Sequence, residues 1–473
     1  MRFIKYIIPI LLIPFMSGCF GSEPNDTAYV SAIGMDKGLS GNYDITIQFA
    51  IPAKISGGSS EEGGKSGEGI VENILIEAPD IYSAVNIANQ LVSKRFSLAH
   101  MKLIVFSEDC AKNGIKDIME TITRSDELRP DVITAVSRET ANSYLENIKP
   151  IIDVNPTKYY QLIFENKSSV GIPKMNGITA MNYIVSNQRD IVMPLTGVTK
   201  ENGGSGGQSQ GGSGGSEAQG QAGEGGSGGQ SQGGSGGSEV QGQAGEGGSD
   251  KQFQSGQAEE KKPGAPVEGD APVTESGFQY KNRSYKAGQV KMIDEPKSEA
   301  LGMAVFNGDK MIAELSENDA NIYNILSGNY NDNYVSFYSP VTPDTPVTVR
   351  MSQRRRPTYK VDIKNKKIKI SLYIEGNFYS LPYDYELEDD VDEFEKSCAK
   401  EISSRCTSFV TNVRNDYNAD ILGFGEIAKK RFLNLEKYDE YNWKEKFKEY
   451  EIETETVFKI RHSGTTYRER KNK

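Results

Sequence analysis

The chain is poor in the residues that build metal centres and disulfide frameworks. Its 473 residues include two histidines, His100 and His462, and four cysteines. A zinc site needs several Cys or His ligands at short spacing, and the sequence contains no such cluster. Cys398 and Cys406 share a predicted helix, which separates their Cα atoms by roughly 12 Å, too far for a disulfide. We therefore predict no metal site, no cofactor and no disulfide framework.

Positive charge is also in deficit, since the formal net charge is -11. A phosphate backbone would be repelled by such a chain, so we predict that nucleic acid is not a partner. Anionic lipid headgroups would be repelled as well. Attachment to a membrane would therefore need a hydrophobic device rather than overall charge.

No apolar run in the sequence is long enough to span a bilayer. The run near the N-terminus, Ile7 to Met16, has ten residues and is interrupted by Pro9 and Pro14. A spanning helix needs roughly 20 apolar residues. Because Arg2 and Lys5 precede it, the run is typical of a signal peptide.

This run ends in Met16-Ser17-Gly18-Cys19, which resembles the bacterial lipobox. In a lipobox, small residues precede a cysteine whose thiol receives diacylglycerol before the peptide is cleaved. An ordinary secretory signal that happens to contain a cysteine is the alternative. We predict that residues 1–18 are a lipoprotein signal peptide and that lipid on Cys19 holds the chain to the outer face of a membrane.

A tract rich in Gly, Ser and Gln interrupts the mature chain at residues 199–298. Residues 203–224 are repeated at 225–246 with a single change, Ala218 to Val240. Neither copy has an apolar face, so burial cannot offset the entropy lost on ordering. We predict that the whole tract is a disordered insertion.

Strand and helix patterns alternate on both sides of the tract. Tyr43 to Pro52 alternates apolar and polar residues as a strand does, and Ile81 to Phe96 has the apolar spacing of a helix face. Beyond the tract, Asn307-Gly308 is a strong hairpin signal. Val391 to Val413 is predicted to be a long amphipathic helix whose apolar stripe includes two cysteines.

These patterns predict an α/β (α+β) fold in several domains, with mixed sheets and flanking helices. We expect an N-terminal α/β domain over residues 19–150. A smaller connecting unit follows at 151–198, which segments beyond the tract could complete. The second α/β domain is expected at 299–473.

Patterns that nominally match catalytic or metal motifs fail on context. Gly203 to Gly207 fits G-x-S-x-G, but that motif needs a strand-to-helix turn and here lies in the repeat. Asn329 to Asn333 suggests a calcium loop without its central Gly and terminal Glu. His100 and His462 fall in different predicted domains, and Arg354 to Arg356 is read as a solvated turn. We therefore predict that the protein is not an enzyme.

Several segments in sequence order resemble one family, the Ger(x)C family of C-subunit lipoproteins of spore germinant receptors. They are Ala32-Ile33-Gly34-Met35-Asp36-Lys37, Ser97 to Val105, Gly302 to Phe306 with Asp309-Lys310, and Asp420 to Gly425 with Trp443 and Phe447. Two features depart from the family pattern. Phe20-Gly21 replaces the Trp-Asp that follows the lipidated cysteine, and the Gly-rich tract is an addition.

The resemblance implies a lipoprotein of the spore inner membrane with a three-domain α/β build and no known catalytic activity. It would assemble with a membrane-spanning A-type subunit and a transporter-like B-type subunit. That complex senses small germinants, and the C subunit is needed for its assembly or signalling.

The alternative from another class is a solute-binding lipoprotein of a membrane transporter. Such proteins close two lobes around a ligand, and a long disordered tract between the halves would loosen that cleft. Ligand-dependent stabilisation of the soluble domain would distinguish this alternative.

Replacing Cys19 by Ala should abolish lipid labelling, because the modified thiol is lost. The measurement is incorporation of radioactive palmitate into the full chain. Cys110→Ala serves as the matched control and should keep its label. Label that persists in Cys19→Ala would contradict the predicted anchor.

Overall fold

A computed structural model describes residues 27–50, 71–92, 94–148, 156–165, 171–186, 188–199, 284–290, 297–338, 346–381 and 387–462. These residues form two β-sheets with flanking helices. The predicted mixed α/β class is confirmed. Cys19, the predicted signal peptide and the repeats at 203–246 lie outside the described residues.

Among the described residues, nine strands form the first sheet. They are β1 (Thr27–Lys37), β2 (Tyr43–Ala50), β3 (Val71–Ala78), β4 (Arg95–Ser97), β5 (Leu103–Ser107), β6 (Ile133–Ser137), β7 (Val192–Val198), β8 (Ser298–Asn307) and β9 (Lys310–Leu315). Their spatial order is β3-β2-β1-β5-β6-β7-β8-β9, and β4 pairs with the start of β1. The central strands β1, β5, β6 and β7 are parallel, and antiparallel strands extend the sheet on both sides.

Helices cover both faces of this sheet. They are α1 (Ile81–Leu91), α2 (Glu108–Asn113), α3 (Lys116–Arg124), α4 (Ala141–Glu146), α5 (Pro156–Glu165) and α6 (Gly177–Ser186). In β5, Leu103 and Val105 belong to one buried cluster, whereas Ile104 and Phe106 belong to the other. This alternation follows from the two-residue period of a strand, and an all-apolar strand is expected where both faces are covered.

The second sheet is built around one long strand. Its strands are β10 (Asp332–Tyr338), β11 (Pro346–Ser352), β12 (Thr358–Asp362), β13 (Lys367–Ser380) and β14 (Glu451–His462). β14 runs parallel to β13 along one edge, and β11 and β12 pair antiparallel with the other edge. Helix α7 (Glu317–Ser327) connects the two sheets, and its first turn is fixed by a capping box between Ser316 and Asp319.

The long amphipathic helix is confirmed as α8 (Leu387–Asn412), which continues as a π-helical turn over Val413–Tyr417. Its apolar stripe packs against the second sheet. Both Cys398 and Cys406 are buried there as free thiols. They are core residues, as the sequence indicated.

Strand pairing does not follow the expected domain boundaries. β7 lies in the predicted connecting unit, yet it pairs with β6 of the N-terminal domain. β8 and β9 fall within the C-terminal domain expected at 299–473, among the segments that could complete the connecting unit, and they extend the same first sheet beyond β7. Periodicity identifies strands but not their partners, because pairing over long sequence separations depends on tertiary structure.

Residues 284–290 pack against the first sheet, so the insertion is shorter than the tract expected at 199–298. Ala287 is fully buried. Its N–H donates to the Leu301 carbonyl at 2.9 Å, and its carbonyl accepts from Arg138 at 2.8 Å. The composition of this segment resembles that of a linker. Its packing could not be predicted from that composition, because the contacts that hold it come from distant parts of the chain.

Replacing Gly302 by Ala should lower the free energy of unfolding by about 3 kcal/mol, from left-handed backbone strain plus overpacking. Gly302 has φ +89° in β8, and a Cβ there would lie 2.5 Å from the Leu315 carbonyl oxygen. Gly41 has φ +86° with nothing within 4 Å of an added Cβ, so Gly41→Ala isolates the strain at about 1 kcal/mol. Denaturant unfolding measures the free energy of unfolding of both variants. Equal losses of stability would contradict the predicted clash with the Leu315 carbonyl oxygen.

Candidate functional site

A buried polar cluster joins the first sheet to the C-terminal helices. Asp190 lies just before β7, and Asp420 follows the π-helical turn. The N–H of Asp190 donates to the Asp420 carbonyl at 3.0 Å, and the N–H of Asp420 donates to Asp190 Oδ2 at 2.8 Å. We call the cluster formed by Arg189, Asp190, Asp420, Trp443 and Lys444 the joint.

The Asp420 carboxylate accepts four hydrogen bonds. Oδ1 accepts the backbone N–H of Gly423 at 2.9 Å and of Phe424 at 3.0 Å. Oδ2 accepts the N–H of Gly425 at 2.7 Å and the indole N–H of Trp443 at 3.0 Å. The carboxylate therefore fixes both the start of α9 (Phe424–Lys429) and the position of α11 (Trp443–Lys446), which follows α10 (Leu435–Tyr441).

Burial raises the pKa of Asp420 to about 6, and the hydrogen bonds from Gly425, Phe424 and Trp443 oppose a further rise. At neutral pH the group is thus ionised inside the protein. A buried carboxylate is tolerated when donors satisfy its oxygens, and here each oxygen has two.

Two glycines allow the backbone to wrap around this carboxylate. Gly423 has φ +76°, a left-handed conformation that favours glycine. A Cβ on Gly425 would lie 2.7 Å from the Gln188 carbonyl oxygen and 2.8 Å from Trp443 Cδ1. Glycine is therefore needed at 425 for close approach of the segment that precedes β7.

Asp190 collects a second set of contacts. Its Oδ1 accepts the Lys444 ammonium at 3.1 Å and the backbone N–H of Gly308 at 2.9 Å. Gly308 is the turn of the β8–β9 hairpin, where the sequence predicted a hairpin. One carboxylate thus holds together the start of β7, the turn of the hairpin and α11.

Arg189 extends the joint to two more helices. Its Nε donates to the Ile421 carbonyl at 3.0 Å, and its terminal nitrogens donate to Tyr183 in α6 at 3.2 Å and Tyr323 in α7 at 3.1 Å. The guanidinium also lies 4.7 Å from the centre of the Tyr183 ring. This combination of in-plane hydrogen bonds and stacking is specific to arginine.

The contacts of the joint couple the first sheet to the C-terminal helices. Its charged groups are engaged with one another, with backbone groups and with tyrosine hydroxyls. Among the described residues, no group of three or more His, Cys, Asp or Glu side chains could hold a metal ion. A displacement of the C-terminal helices would break bonds to β7, α6 and α7 together, so the two halves should move as one body.

The other residues singled out from the sequence are not brought together. His100 is exposed beside Tyr29, with ring centres 5.2 Å apart, and His462 is exposed at the end of β14 in the other sheet. Arg355 lies over the Tyr373 ring at 4.1 Å, and Arg354 is 4.0 Å from Glu375. Both arginines belong to an exposed turn, in agreement with the sequence interpretation.

A small pocket lies between α7, β10 and α8. Its volume is about 70 Å³, and its apolar walls include Ile322, Ile325, Phe337 and Ile402. Binding sites for small molecules usually enclose roughly 300–1,000 Å³. The pocket offers little support for the solute-binding alternative.

The sequence matches two family models, one on each side of the insertion. The model for the spore germination protein N-terminal domain matches residues 21–198. The model described as spore germination B3/GerAC like, C-terminal, matches residues 301–464. Together these matches cover more than half of the chain. The protein therefore belongs to the GerAC family of spore germination proteins, and the resemblance found in the sequence is confirmed.

Individual relatives share low sequence identity with this chain. Spore germination protein KC of Bacillus subtilis (strain 168) is 27% identical over 192 residues, which are 40% of this chain and 47% of that protein. GerQC of Bacillus cereus is 21% identical over 173 residues, 36% of this chain and 46% of that protein. The matches span about half the length of these curated relatives. A crystal structure of the GerBC protein aligns with a TM-score of 0.44 at 12% identity, covering 90% of this chain and 96% of that one.

Replacing Asp420 by Asn should destabilise the fold by about 2 kcal/mol at neutral pH, because an amide nitrogen would face buried N–H donors. Asp416→Asn is the matched control, since Asp416 is exposed four residues earlier. Denaturant unfolding measures both variants. Equal stability of the two would contradict the role of the Asp420 carboxylate.

The pH dependence of unfolding provides a second test of Asp420. Its pKa is raised from 3.8 to about 6 by burial, so the folded state binds more protons than the unfolded state between these values. The free energy of unfolding should therefore fall by about 3 kcal/mol from this group as pH rises from about 4 to about 6. Asp420→Asn should lack this fall, and Asp416→Asn should keep it. A slope that survives in Asp420→Asn would contradict the assignment.

Proposed function

We propose that this protein is the lipid-anchored, non-catalytic subunit of a spore germinant receptor. It is needed for assembly or signalling of the membrane complex during germination. Its partners are the A-type and B-type membrane subunits, and lipid on Cys19 holds it to the outer face of the spore inner membrane. Family membership supports the role in germination, and the lipobox sequence supports the anchor.

The observation that carries the proposal is the joint. The C-terminal residues that resemble the family, Asp420 to Gly425 with Trp443, converge on one buried carboxylate. They are thus accounted for by coupling between the two halves of the molecule, and not by substrate chemistry. A subunit that works through its surfaces needs such a fixed relation between halves, whereas an enzyme needs reactive groups.

A lipid anchor would also favour assembly by raising the local concentration of this subunit near its membrane partners. Among the described residues, no helix has both the length and the apolar character that crossing a bilayer requires. Two acyl chains on one cysteine give stable attachment, whereas a single chain gives marginal binding.

Affinity capture of the full chain from detergent-solubilised spore membranes tests this proposal. Mass spectrometry should recover A-type and B-type germination subunits with the protein. Asp420→Asn should reduce that recovery relative to Asp416→Asn, because a loosened joint no longer presents both halves in one arrangement. Recovery of an ATP-driven permease instead would contradict the receptor proposal and favour the solute-binding alternative.

A further inference from the structure

Helix α1 has an unusual solvent face. None of the residues in Ile81–Leu91 is charged. Ala84, Val85 and Ala88 are buried against the sheet, whereas Ile87 and Leu91 lie on the outer side, with Leu91 66% exposed. A surface helix of a soluble domain normally carries charged residues on its outer face. The C-terminal half of α1 therefore presents two apolar side chains, Ile87 and Leu91, beside the exposed amides Asn86 and Gln90.

Two cations follow directly after this helix. Lys94 and Arg95 are both exposed, and neither has an ion-pair partner among the described residues. In the segments that follow, Glu127 accepts the Leu98 N–H at 2.9 Å and Asp131 pairs with Arg129 at 3.3 Å. Exposed apolar side chains beside free cations are typical of a surface that meets anionic lipid headgroups.

The position of these residues in the fold links them to the predicted anchor. β4 pairs with the first residues of β1, and Arg95 lies opposite Thr27. Only residues 20–26 separate Thr27 from Cys19. A fully extended chain of that length spans at most about 28 Å. If Cys19 carries lipid, the start of β1, and with it the end of α1, must lie close to the bilayer.

We propose that Ile87, Leu91, Lys94 and Arg95, named here the tether face, rest on an anionic bilayer surface. Leu91 enters the headgroup region, and the two cations bind lipid phosphates. This inference rests on the lipid anchor of the proposed function. The net charge of -11 holds the remainder of the molecule away from anionic lipid, so the tether face also orients the protein.

The matched control for Leu91 is Leu39, which lies at the opposite end of β1 from Thr27. Leu39 is 76% exposed in the turn that follows β1. Because β1 has 11 residues, its two ends are separated by roughly 33 Å. Both leucines are therefore exposed, but Leu91 lies near the start of β1 and Leu39 lies beyond its far end. The described native cysteines, Cys110, Cys398 and Cys406, are buried and should not compete for a thiol label.

The experiment uses the lipidated full chain on vesicles of phosphatidylcholine and phosphatidylglycerol with brominated acyl chains. Leu91→Cys and Leu39→Cys are each labelled with an environment-sensitive fluorophore. We expect severalfold stronger quenching by the brominated lipid at position 91 than at position 39. Equal quenching at the two positions, with the protein bound, would overturn the tether face.

Co-flotation with vesicles reports the anchor separately from the orientation. Changing both Lys94→Glu and Arg95→Glu should leave flotation and thermal unfolding unchanged, while quenching at position 91 falls to the level of position 39. Loss of flotation in the unsubstituted chain would refute the anchor itself. Quenching at position 91 that survives the charge reversal would overturn the role of the cations. A label at 91 that partner subunits shield without lipid quenching would show a protein contact instead.

Discussion

The arrangement of the two halves of the molecule depends on one buried carboxyl group. The carboxylate of Asp420 accepts hydrogen bonds from Gly423, Phe424, Gly425 and Trp443, and its own backbone exchanges bonds with Asp190. Burying a carboxylate is unfavourable unless donors satisfy its oxygens. Loss of any of these hydrogen bonds would therefore destabilise the fold. Chain segments more than 200 residues apart are fixed to one another as a result.

The first sheet explains how the chain tolerates a long insertion. β7 ends at Val198 and β8 begins at Ser298, and these two residues pair directly across the sheet. Closing a loop costs entropy that grows only with the logarithm of its length, so doubling the loop adds about 0.6 kcal/mol. The strand pair on either side of the tract, strengthened by the packed segment around Ala287, therefore keeps the two family regions in one structure.

The anchor and the joint act at different places in the proposed receptor subunit. A lipid anchor on Cys19 would set where the start of β1 lies relative to the membrane, and the proposed tether face would then limit how the first sheet can tilt. Through Asp190 and Arg189, the joint passes that orientation to the C-terminal helices and the second sheet. The binding of a partner to one half of the molecule would in this way depend on the position of the other half.

Local features of the protein were determined by the sequence alone. The amphipathic helix with Cys398 and Cys406, the hairpin at Gly308 and the mixed α/β class are all consequences of periodicity and turn chemistry between near neighbours. The residues from Asp420 to Gly425 could be recognised in the sequence by their resemblance to the family. The hydrogen bonds that they form around the Asp420 carboxylate could not be predicted. Arg189 and Asp190 gave no signal, because an Arg-Asp pair before a strand is common on any surface.

Only the tertiary structure decided which strands share a sheet and which charges are buried together. β8 and β9 join the first sheet, and residues 284–290 pack although their composition resembles a linker. Both outcomes depend on partners that are far away in the sequence. Periodicity reports which face of an element is apolar, but the identity of the surface that covers it, and the burial that makes Asp190 and Asp420 a pair, exist only once the chain has folded.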